Sequence, residues 1–487
     1  MAPDGGIHTK IAIVGAGFGG LGMAIELKRA GEHDFLILEK GPDIGGVWRD
    51  NTYPGCTCDV PSHLYSFSFA PYRSCTQRYA PQQDILSYLQ QIAADNRLQQ
   101  HLRFDIEISE ALFQTDSNEW VISTTSNKLI RAEIVIFAVG QLHKPHCPDI
   151  PGMETFSGQL FHSANWNHDV DLCGKRVSVI GTGSSAAQML PALASAASEL
   201  TVYQREPHWV LPKPDADFGC FARLLLRLPG GHAAYRSALS HGADMLLSPV
   251  TRSDALRRVV EWYARRNLRR QIGRKDLIQK LMPSYPIGGK RIVFDNRFYR
   301  TLTLDNVRLI TEPIASVNSS AIKTQNHTID DVDVIICATG FKASEFLLPI
   351  HVRGRDGHSL NADWAQGAQA FMGLAVYRYP NLFMIAGPNT FNPAGSNPEM
   401  KELQVAYILR CLRWKESNGA QAIEVRREAA EGYQAWLKGR LEETVWSEPA
   451  NSWYRHESGK VTSPWPASRR AFARMLRDEP QRSFRKL

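Results

Sequence analysis

Three glycines near the amino terminus carry the spacing of a phosphate-binding turn. Gly15, Gly17 and Gly20 form a GxGxxG motif between an apolar run that predicts a buried strand and a run that predicts a helix. Glycine permits the tight turn and the close approach of the backbone to a pyrophosphate, and the helix amino terminus supplies free N–H groups. A second predicted strand ends at Glu39, whose carboxylate suits the hydroxyl groups of a ribose. We call the first strand, the glycine turn, the helix and the second strand the first unit. It predicts a dinucleotide site.

The same design recurs in the middle of the chain, where Gly181, Gly183 and Ala186 form GxGxxA. Arg205 lies 24 residues after the first glycine of this unit, and the acidic residue of the first unit lies 24 residues after its own first glycine. A carboxylate would repel a 2′-phosphate, whereas a guanidinium can pair with it. The two units therefore predict FAD in the first and NADPH in the second. Because Glu206 follows Arg205 directly, the strictness of NADPH over NADH stays open at this point.

A bound flavin and a bound nicotinamide together imply hydride transfer, and the fate of the reduced flavin then decides the activity. A disulfide reductase needs a pair of redox cysteines, but the CxC spacing of Cys56 and Cys58 differs from the usual motifs. The HKPHC segment, 143–147, has metal-ligand residue types but no second ligand cluster, and its prolines favour a plain linker. No metal is therefore predicted, and reaction with oxygen is the main remaining route.

Five segments resemble the motifs of Baeyer–Villiger monooxygenases. They are GGVWRDNTYPGCTCD (45–59), FSGQLFHSANW (156–166), YPIGGKRIVF (285–294), ATGF (338–341) and YPNLFMIAGPNT (379–390). The resemblance runs from about Ile11 to Trp453. Related monooxygenases that oxidise amines or sulfides share the glycine motifs, but they typically differ at the fingerprint Trp and lack the Asp and Arg pair. Trp166, Asp59 and Arg291 therefore favour the Baeyer–Villiger family.

The resemblance implies that Arg291 is catalytic and that Asp59 is its active-site partner. In this chemistry reduced flavin and oxygen give a flavin peroxide, which attacks a ketone carbonyl as an anion and forms an anionic adduct. A guanidinium beside the flavin favours both anions because it cannot lose its proton. Asp59 would fix the position of Arg291 by accepting its hydrogen bond. From the residues alone, Arg291 could equally lie at a surface strand edge, and Asp59 could cap a helix.

The resemblance also implies cofactor contacts in both units. For the flavin they are, beside the glycines and Glu39, Phe18, Val47, Trp48, Asp59 and Tyr65. For NADPH they are, beside the glycines and Arg205, Ser184, Ser185, Gln188 and, as a second cation for the 2′-phosphate, Lys290. Trp453 matches a family tryptophan that reaches the nicotinamide cofactor.

The FxGxxxHxxxW fingerprint falls on Phe156, Gly158, His162 and Trp166, between the two units. This segment lies far along the chain from the predicted catalytic pair, so we expect a hinge rather than a catalytic segment. Gly158 would give the backbone freedom, and the three larger residues would fasten the connector to both domains.

The remaining patterns describe the organisation of the chain. A chain of 487 residues is too long to fold around one compact core. The predicted class is α/β with two Rossmann-like dinucleotide-binding domains. The FAD domain is predicted as two segments, 1–152 and 344–487, and the NADPH domain, 153–343, is inserted between them. Helical periodicity indicates a helical insertion at about 211–289. Segment 391–400 departs from the family pattern, and we expect it to border the substrate site.

Composition bounds the compartment and the partners. A formal charge of +7 does not indicate nucleic-acid binding, and the basic run 251–275 is predicted as a solvated helical face. Eight cysteines without a small-domain framework fit a reducing compartment, and no apolar run is long enough to cross a bilayer. A strand-like run that begins at Ile11 leaves no room for a signal peptide. These features predict a cytoplasmic protein.

The predicted reaction converts a ketone, NADPH and O₂ into an ester or lactone, NADP⁺ and water. One alternative is a flavin monooxygenase that oxidises sulfide or amine heteroatoms, because a soft nucleophile has less need of Arg291. An alternative of another class is a dinucleotide-binding regulatory or scaffold flavoprotein without oxygenation. These patterns do not specify which ketone is the substrate or the oligomeric state.

Overall fold

The structure is a computed structural model, and it describes residues 6–73, 75–215, 217–326, 329–448 and 452–487. Within these ranges the strands are β1 (Ile7–Val14), β2 (Phe35–Leu38), β3 (Leu102–Arg103), β4 (Ile108–Gln114), β5 (Glu119–Thr124), β6 (Leu129–Phe137), β7 (Gln159–His162), β8 (Arg176–Ile180), β9 (Glu199–Tyr203), β10 (Val210–Leu211), β11 (Val293–Phe294), β12 (Val307–Ile310), β13 (Ile314–Val317), β14 (Ala321–Thr324), β15 (Ile329–Asp331), β16 (Val334–Cys337), β17 (His351–Arg353), β18 (Leu382–Met384), β19 (Ile423–Val425) and β20 (Phe484–Lys486).

The helices complete the secondary structure and follow the same numbering along the chain. They are α1 (Phe18–Arg29), α2 (Val47–Asp50), α3 (Gln82–Asp95), α4 (Ser184–Ala196), α5 (Cys220–Arg227), α6 (Gly231–Gly242), α7 (Asp254–Gln271), α8 (Lys275–Leu281), α9 (Phe298–Thr301), α10 (Leu360–Asp363), α11 (Asn397–Ser417), α12 (Arg427–Glu442), α13 (Arg469–Met475) and α14 (Pro480–Ser483). None of the helices in the described ranges is both long enough and apolar enough to cross a membrane.

The first sheet has the strand order β17-β4-β5-β6-β1-β2-β3, and β18 pairs with β6. β1 lies parallel between β2 and β6, and it is buried on both faces. Ile11 and Ile13 belong to one apolar cluster and Ala12 and Val14 to another, because successive side chains of a strand point to opposite faces. β17 and β18 come from the carboxyl-terminal third of the chain, so that segment completes the sheet.

The second sheet is parallel throughout and has the order β12-β9-β8-β16-β7. The antiparallel strands β13, β14 and β15 form a small sheet between β12 and β16 in the chain. β10 pairs with β11, and helices α5 to α8 lie between these two strands in the chain. The predicted α/β class is confirmed, whereas the domain boundaries at 152/153 and 343/344 and the limits 211–289 of the insertion stay predictions.

Candidate active site and nucleotide sites

The first glycine turn lies between β1 and α1. A Cβ atom on Gly20 would lie 1.9 Å from the carbonyl oxygen of Gly15, and one on Gly15, at φ +105°, would lie 2.8 Å from that of Ala138. Only glycine fits such approaches. Gly17 is the N-cap of α1 and no side chain caps this end, so the first N–H groups of the helix face the turn. The turn therefore has the geometry of a pyrophosphate site.

Glu39 follows β2 and is almost fully buried, at 4% exposure. Its Oε2 accepts a hydrogen bond from the N–H of Ala16 at 2.7 Å, and its Oε1 accepts from the N–H of Gly41 at 2.9 Å. The guanidinium of Arg49 donates to Oε1 at 2.9 Å. Arg49, which was not predicted as a site residue, thus compensates the buried carboxylate beside the glycine turn.

Three of the residues predicted to contact the flavin form one aromatic cluster. Tyr65 packs edge-on against Phe18, with 5.2 Å between ring centroids, and against Trp48, with 5.6 Å. The indole Nε1 of Trp48 donates to the hydroxyl of Tyr65 at 3.2 Å. Val47, the first residue of α2, is partly buried against the same core. The structure therefore brings Phe18, Val47, Trp48 and Tyr65 together beside the first glycine turn.

Arg291 and Asp59 form a bidentate ion pair across 232 positions of sequence. The Nη2 atom of Arg291 lies 2.7 Å from Oδ1 and 2.5 Å from Oδ2 of Asp59, and Nε lies 3.1 Å from Oδ2. The side chain of Asp59 is 14% exposed and that of Arg291 is 29% exposed. The predicted pair is therefore in contact, and part of the Arg291 side chain remains exposed.

The charges of this pair stabilise each other. Burial disfavours the ionised carboxylate of Asp59, but the charge and hydrogen bonds of Arg291 outweigh it and hold the pKa of Asp59 below its usual value. Burial alone would lower the pKa of Arg291, yet Asp59 raises it above the usual value. Both groups therefore stay charged, and Arg291 is a fixed cation.

Lys213 is a second cation near Asp59, and it is buried. Its Nζ donates to the hydroxyl of Thr57 at 3.0 Å and lies 4.6 Å from the ring centroid of Tyr79. Burial lowers the pKa of Lys213, and the charge of Lys213 helps to lower the pKa of Asp59. The residues around Lys213, in LPKPD, are typical of an exposed loop. The sequence therefore did not indicate that Lys213 is buried near Asp59.

An aromatic group also contacts Arg291. The guanidinium carbon Cζ lies 5.2 Å from the ring centroid of Phe391. Phe391 packs edge-on against Trp453, with 5.0 Å between centroids, and Trp453 packs edge-on against Tyr454 at 4.5 Å. The structure thus connects Trp453 to the ion pair through Phe391, at the start of the segment 391–400 that was expected to border the substrate site.

The second glycine turn repeats the first. A Cβ atom on Gly181, at φ +115°, would lie 2.4 Å from the carbonyl oxygen of Ala338, whereas one on Gly183 would meet nothing within 4 Å. Gly183 is the N-cap of α4 without a side-chain cap, and Ser184 and Ser185 are the first residues of the helix. The open space and the free N–H groups fit a second pyrophosphate.

Gln188 lies one turn further along α4 and bridges the two units. Its Oε1 accepts hydrogen bonds from the hydroxyl of Tyr53 at 2.9 Å and from the N–H of Thr57 at 3.3 Å, and its Nε2 donates to the carbonyl of Thr57 at 2.9 Å. A Cβ atom on Gly55 would lie 2.5 Å from the backbone oxygen of Gln188. The YPG turn of the first unit therefore packs directly on the helix of the second.

Charged residues surround the tip of β9. Arg205 is exposed, and Lys290 forms an ion pair with Glu206. The Nζ of Lys290 also lies 4.7 Å from the ring centroid of Tyr285, and Lys290 is 7% exposed. Since Lys290 neutralises Glu206, the charge of Arg205 remains available for a phosphate.

Comparison with known proteins places these features in a family. A Baeyer–Villiger monooxygenase of Streptomyces coelicolor is 38% identical to the chain over 473 residues, which cover 96% of this chain and 91% of the relative. A Baeyer–Villiger monooxygenase of Pseudomonas aeruginosa is 38% identical over 467 residues, 95% of this chain and 89% of the relative. The chain belongs to the Baeyer–Villiger monooxygenase family.

Solved structures and a family model agree with this. An oxidised steroid monooxygenase bound to NADP has a TM-score of 0.89 and 27% identity, and the match covers 99% of each chain. A cyclohexanone monooxygenase from Rhodococcus sp. Phi1 bound to NADP⁺ has a TM-score of 0.90 and 26% identity, again over 99% of each chain. Residues 12–219 match the model of the pyridine nucleotide-disulphide oxidoreductases.

The cysteines of this Baeyer–Villiger monooxygenase do not resemble a redox pair. Cys56 and Cys58 are buried and free. Burial raises the pKa of Cys56 to about 11 and raises the pKa of Cys58 as well. A thiol with a raised pKa is a poor nucleophile at neutral pH, so these side chains are not suited to thiol–disulfide exchange.

The Baeyer–Villiger fingerprint segment forms the edge strand of the second sheet. His162 ends β7, its Nδ1 accepts from the N–H of Ala164 at 3.0 Å, and its ring packs against Phe341. Trp166 packs edge-on against Phe161, and Phe156 is partly buried in a small cluster of the second unit. These contacts lie within the second unit, so the hinge between domains stays a prediction.

The structure gives a different reason for glycine at position 158 from the one predicted. A Cβ atom at this position would lie 2.4 Å from the carbonyl oxygen of Asp333 and 2.5 Å from the ring of Phe156. Its φ is not among the positive values of the chain. Close packing, rather than backbone freedom, therefore requires glycine here.

Proposed function

We propose that this protein is an FAD- and NADPH-dependent enzyme that inserts one oxygen atom of O₂ next to a ketone carbonyl and releases an ester or lactone. Membership of the Baeyer–Villiger family supports the reaction type, and the NADP-bound steroid and cyclohexanone monooxygenases support the cofactor and the ketone class. The free cysteines fit a reducing compartment, so we assign the enzyme to the cytoplasm.

The first unit fits FAD. The uncapped amino terminus of α1 and the space beside Gly17 suit the pyrophosphate, and Glu39 would lie near the ribose. The cluster of Phe18, Trp48 and Tyr65 offers apolar and hydroxyl contacts for the rest of the cofactor. When bound, FAD supplies the two-electron chemistry that activates O₂, with NADPH as the hydride source.

The second unit fits NADPH. The open space at Gly183 and the first turn of α4 with Ser184 and Ser185 suit the pyrophosphate. Arg205 is exposed at the tip of β9 and would pair with the 2′-phosphate. Neutralisation of Glu206 by Lys290 removes the charge that would oppose this. The preference for NADPH over NADH is therefore assigned to Arg205 and Lys290 together.

The observation that carries the proposal is the ion pair of Arg291 and Asp59. Asp59 orients the guanidinium with both carboxylate oxygens, and the exposed part of Arg291 can face the substrate. A cation that stays protonated stabilises the negative charge that develops on the carbonyl oxygen during oxygen insertion. Phe391 and Trp453 would exclude water from this charge.

The arrangement of the chain completes the proposal. The FAD domain consists of residues 1–152 and 344–487, and the NADPH domain, 153–343, carries the helical insertion. Strands β17 and β18 in the first sheet support this division. The connector with His162 and Trp166 would set the position of the NADPH domain relative to the flavin.

A panel of linear, cyclic, aromatic and steroid ketones, incubated with NADPH and O₂, tests the activity by mass spectrometry of products one oxygen heavier. We expect Arg291→Ala to lower the rate of ketone oxidation by about 100-fold or more. The same variant should retain part of any sulfide oxidation. Arg300→Ala, on an exposed arginine outside the site, is the control. Ketone turnover in Arg291→Ala at the wild-type rate would overturn the proposed mechanism, and a blank panel with sulfides oxidised would favour heteroatom oxygenation.

A further inference from the structure

One side of helix α7 exposes apolar and basic residues together. Val259, Trp262 and Tyr263 are 60%, 59% and 48% exposed, and their spacing puts them side by side on the helix. Arg258 and Arg266 are exposed one turn before and one turn after Trp262, and Cζ of Arg266 lies 5.7 Å from the Trp262 ring. We call these five residues the α7 face.

Another side of α7 is turned toward the protein. Ala264 and Leu268 are buried. Glu261, the acid between residues 255 and 270, accepts a hydrogen bond from the N–H of Ile287 at 3.0 Å and lies 3.8 Å from Arg265. The negative charge of this stretch is therefore engaged by protein groups, and the α7 face combines arginines with aromatic and aliphatic side chains.

Helix α5, in the same insertion, exposes an apolar stripe. Phe221, Leu224 and Leu225 of α5 and Leu228, which directly follows the helix, are between 45% and 73% exposed. Their spacing of i, i+3, i+4 and i+7 is that of a helix face that normally packs on a core. Here this face meets solvent, so the insertion carries apolar surface on two helices that the described residues do not cover.

The charge of the insertion restricts what could cover these residues. Residues 211–289 contain fourteen Lys and Arg and six Asp and Glu, a formal charge of +8, whereas the whole chain has +7. A second copy of the same surface would be repelled. A nucleic acid would neutralise the charge but would leave the stripe of Phe and Leu uncovered. An anionic lipid surface satisfies both the arginines and the apolar side chains.

We propose that the insertion binds the surface of an anionic lipid bilayer through the α7 face and the α5 stripe. Trp262 and Tyr263 would lie at the level of the headgroups, where amphipathic rings are favoured, and Arg258 and Arg266 would contact lipid phosphates. The insertion lies on the bilayer and does not span it, in line with the absence of a spanning helix in the described ranges. The proposal does not depend on the oxygenation activity.

The test is co-sedimentation of the full-length holoenzyme with vesicles. Phosphatidylcholine vesicles that contain phosphatidylglycerol are compared with vesicles of phosphatidylcholine alone. We expect binding to the anionic vesicles only, and loss of binding as salt is raised. Arg258→Gln with Arg266→Gln should weaken binding about 25-fold, since each basic residue near an anionic surface contributes about fivefold. Trp262→Ala with Tyr263→Ala should weaken binding at every salt concentration.

The matched control is Arg300→Gln with Leu304→Ala, an exposed basic and apolar pair outside the insertion, and it should bind as the wild type does. Oxygenation in solution should be unchanged in all three variants, which shows that they are folded. Equal vesicle binding by the α7 variants and the wild type would overturn the proposal. So would binding to DNA but not to vesicles, or self-association of the wild type that the α7 variants abolish.

Discussion

Gln188 of the second unit holds the backbone of Thr57 in the first from both sides, with its Oε1 on the N–H and its Nε2 on the carbonyl. Thr57 lies two residues before Asp59, and its hydroxyl accepts the hydrogen bond of Lys213. The position of the ion pair with Arg291 therefore depends on contacts between the two nucleotide units. A substitution at Gln188 in the second unit is therefore expected to displace the carboxylate of Asp59 in the first.

Gln188→Ala tests this coupling. Loss of the amide leaves the N–H and carbonyl of Thr57 without their partner, so we expect the free energy of unfolding to fall by about 2 kcal/mol. NADPH consumption should become less coupled to product formation, because Asp59 loses its support. Chemical denaturation and the ratio of product to NADPH are the measurements, and Gln91→Ala, at an exposed position of α3, is the control. A raised KM for NADPH with unchanged stability and coupling would instead indicate a direct contact of Gln188 with NADPH.

Lys290 and Glu206 offer a double-mutant test of cofactor preference. Lys290→Met leaves the carboxylate of Glu206 uncompensated beside Arg205, and we expect the KM for NADPH to rise about tenfold, with a smaller change for NADH. Addition of Glu206→Gln should restore most of the affinity for NADPH. Steady-state kinetics with both cofactors measure this. If the double variant stays as weak as Lys290→Met, charge compensation is not the role of Lys290.

Because His63 is buried, we expect the folded protein to lose stability in mild acid. It is 2% exposed and packs against Phe218 and Tyr235. Burial, helped by His232, lowers the pKa of His63 from 6.5 to about 4. Because this folded-state pKa lies below the unfolded one, the unfolded chain takes up the proton first, and stability falls as pH decreases from about 6.5 toward 4.

Between pH 7 and pH 5, the lowered pKa of His63 is expected to reduce the free energy of unfolding by about 2 kcal/mol. His63→Leu should therefore lose about that much less stability than the wild type over the interval, as measured by urea unfolding at both pH values. His33→Leu, on an exposed histidine, should follow the wild-type profile. A wild-type profile for His63→Leu would mean that His63 does not stay neutral in the folded protein.

His162→Ala tests the connector. The change removes the acceptor for the N–H of Ala164 and the packing on Phe341 at the end of β7. We expect turnover to fall roughly tenfold through displaced NADPH, while the flavin absorbance of the purified protein stays unchanged. His351→Ala, on an exposed edge strand, serves for comparison. Normal NADPH kinetics and normal coupling in His162→Ala would contradict a hinge at this segment.

The glycine turns could be predicted because their signal is local. The strand, the turn at Gly15 or Gly181 and the following helix are contiguous in sequence, and the backbone requirement is visible in the residue type. The pairing of Arg291 with Asp59 spans 232 positions, and only the family resemblance predicted it. No local pattern distinguishes this arginine from one at a surface strand edge.

Lys213 and the bridging role of Gln188 could not be predicted for the same physical reason. Lys213 is buried by Thr57 and Tyr79, which are more than a hundred positions away, and a lysine between two prolines has the composition of a loop. Burial and desolvation arise only when the two units pack together. The exposed apolar residues of α5 present the converse case, since their helical spacing favours a buried face.

The first sheet combines strands from distant parts of the chain, which has a consequence for biosynthesis. Residues 135–137 of β6 pair with β18, which leaves the ribosome only after the whole second nucleotide unit has been made. Until then the carboxyl-terminal half of β6 presents an apolar edge without that partner, and such edges promote aggregation. Completion of the first sheet therefore waits until β18 has been synthesised, and truncation before residue 382 would leave this edge of β6 permanently unpaired.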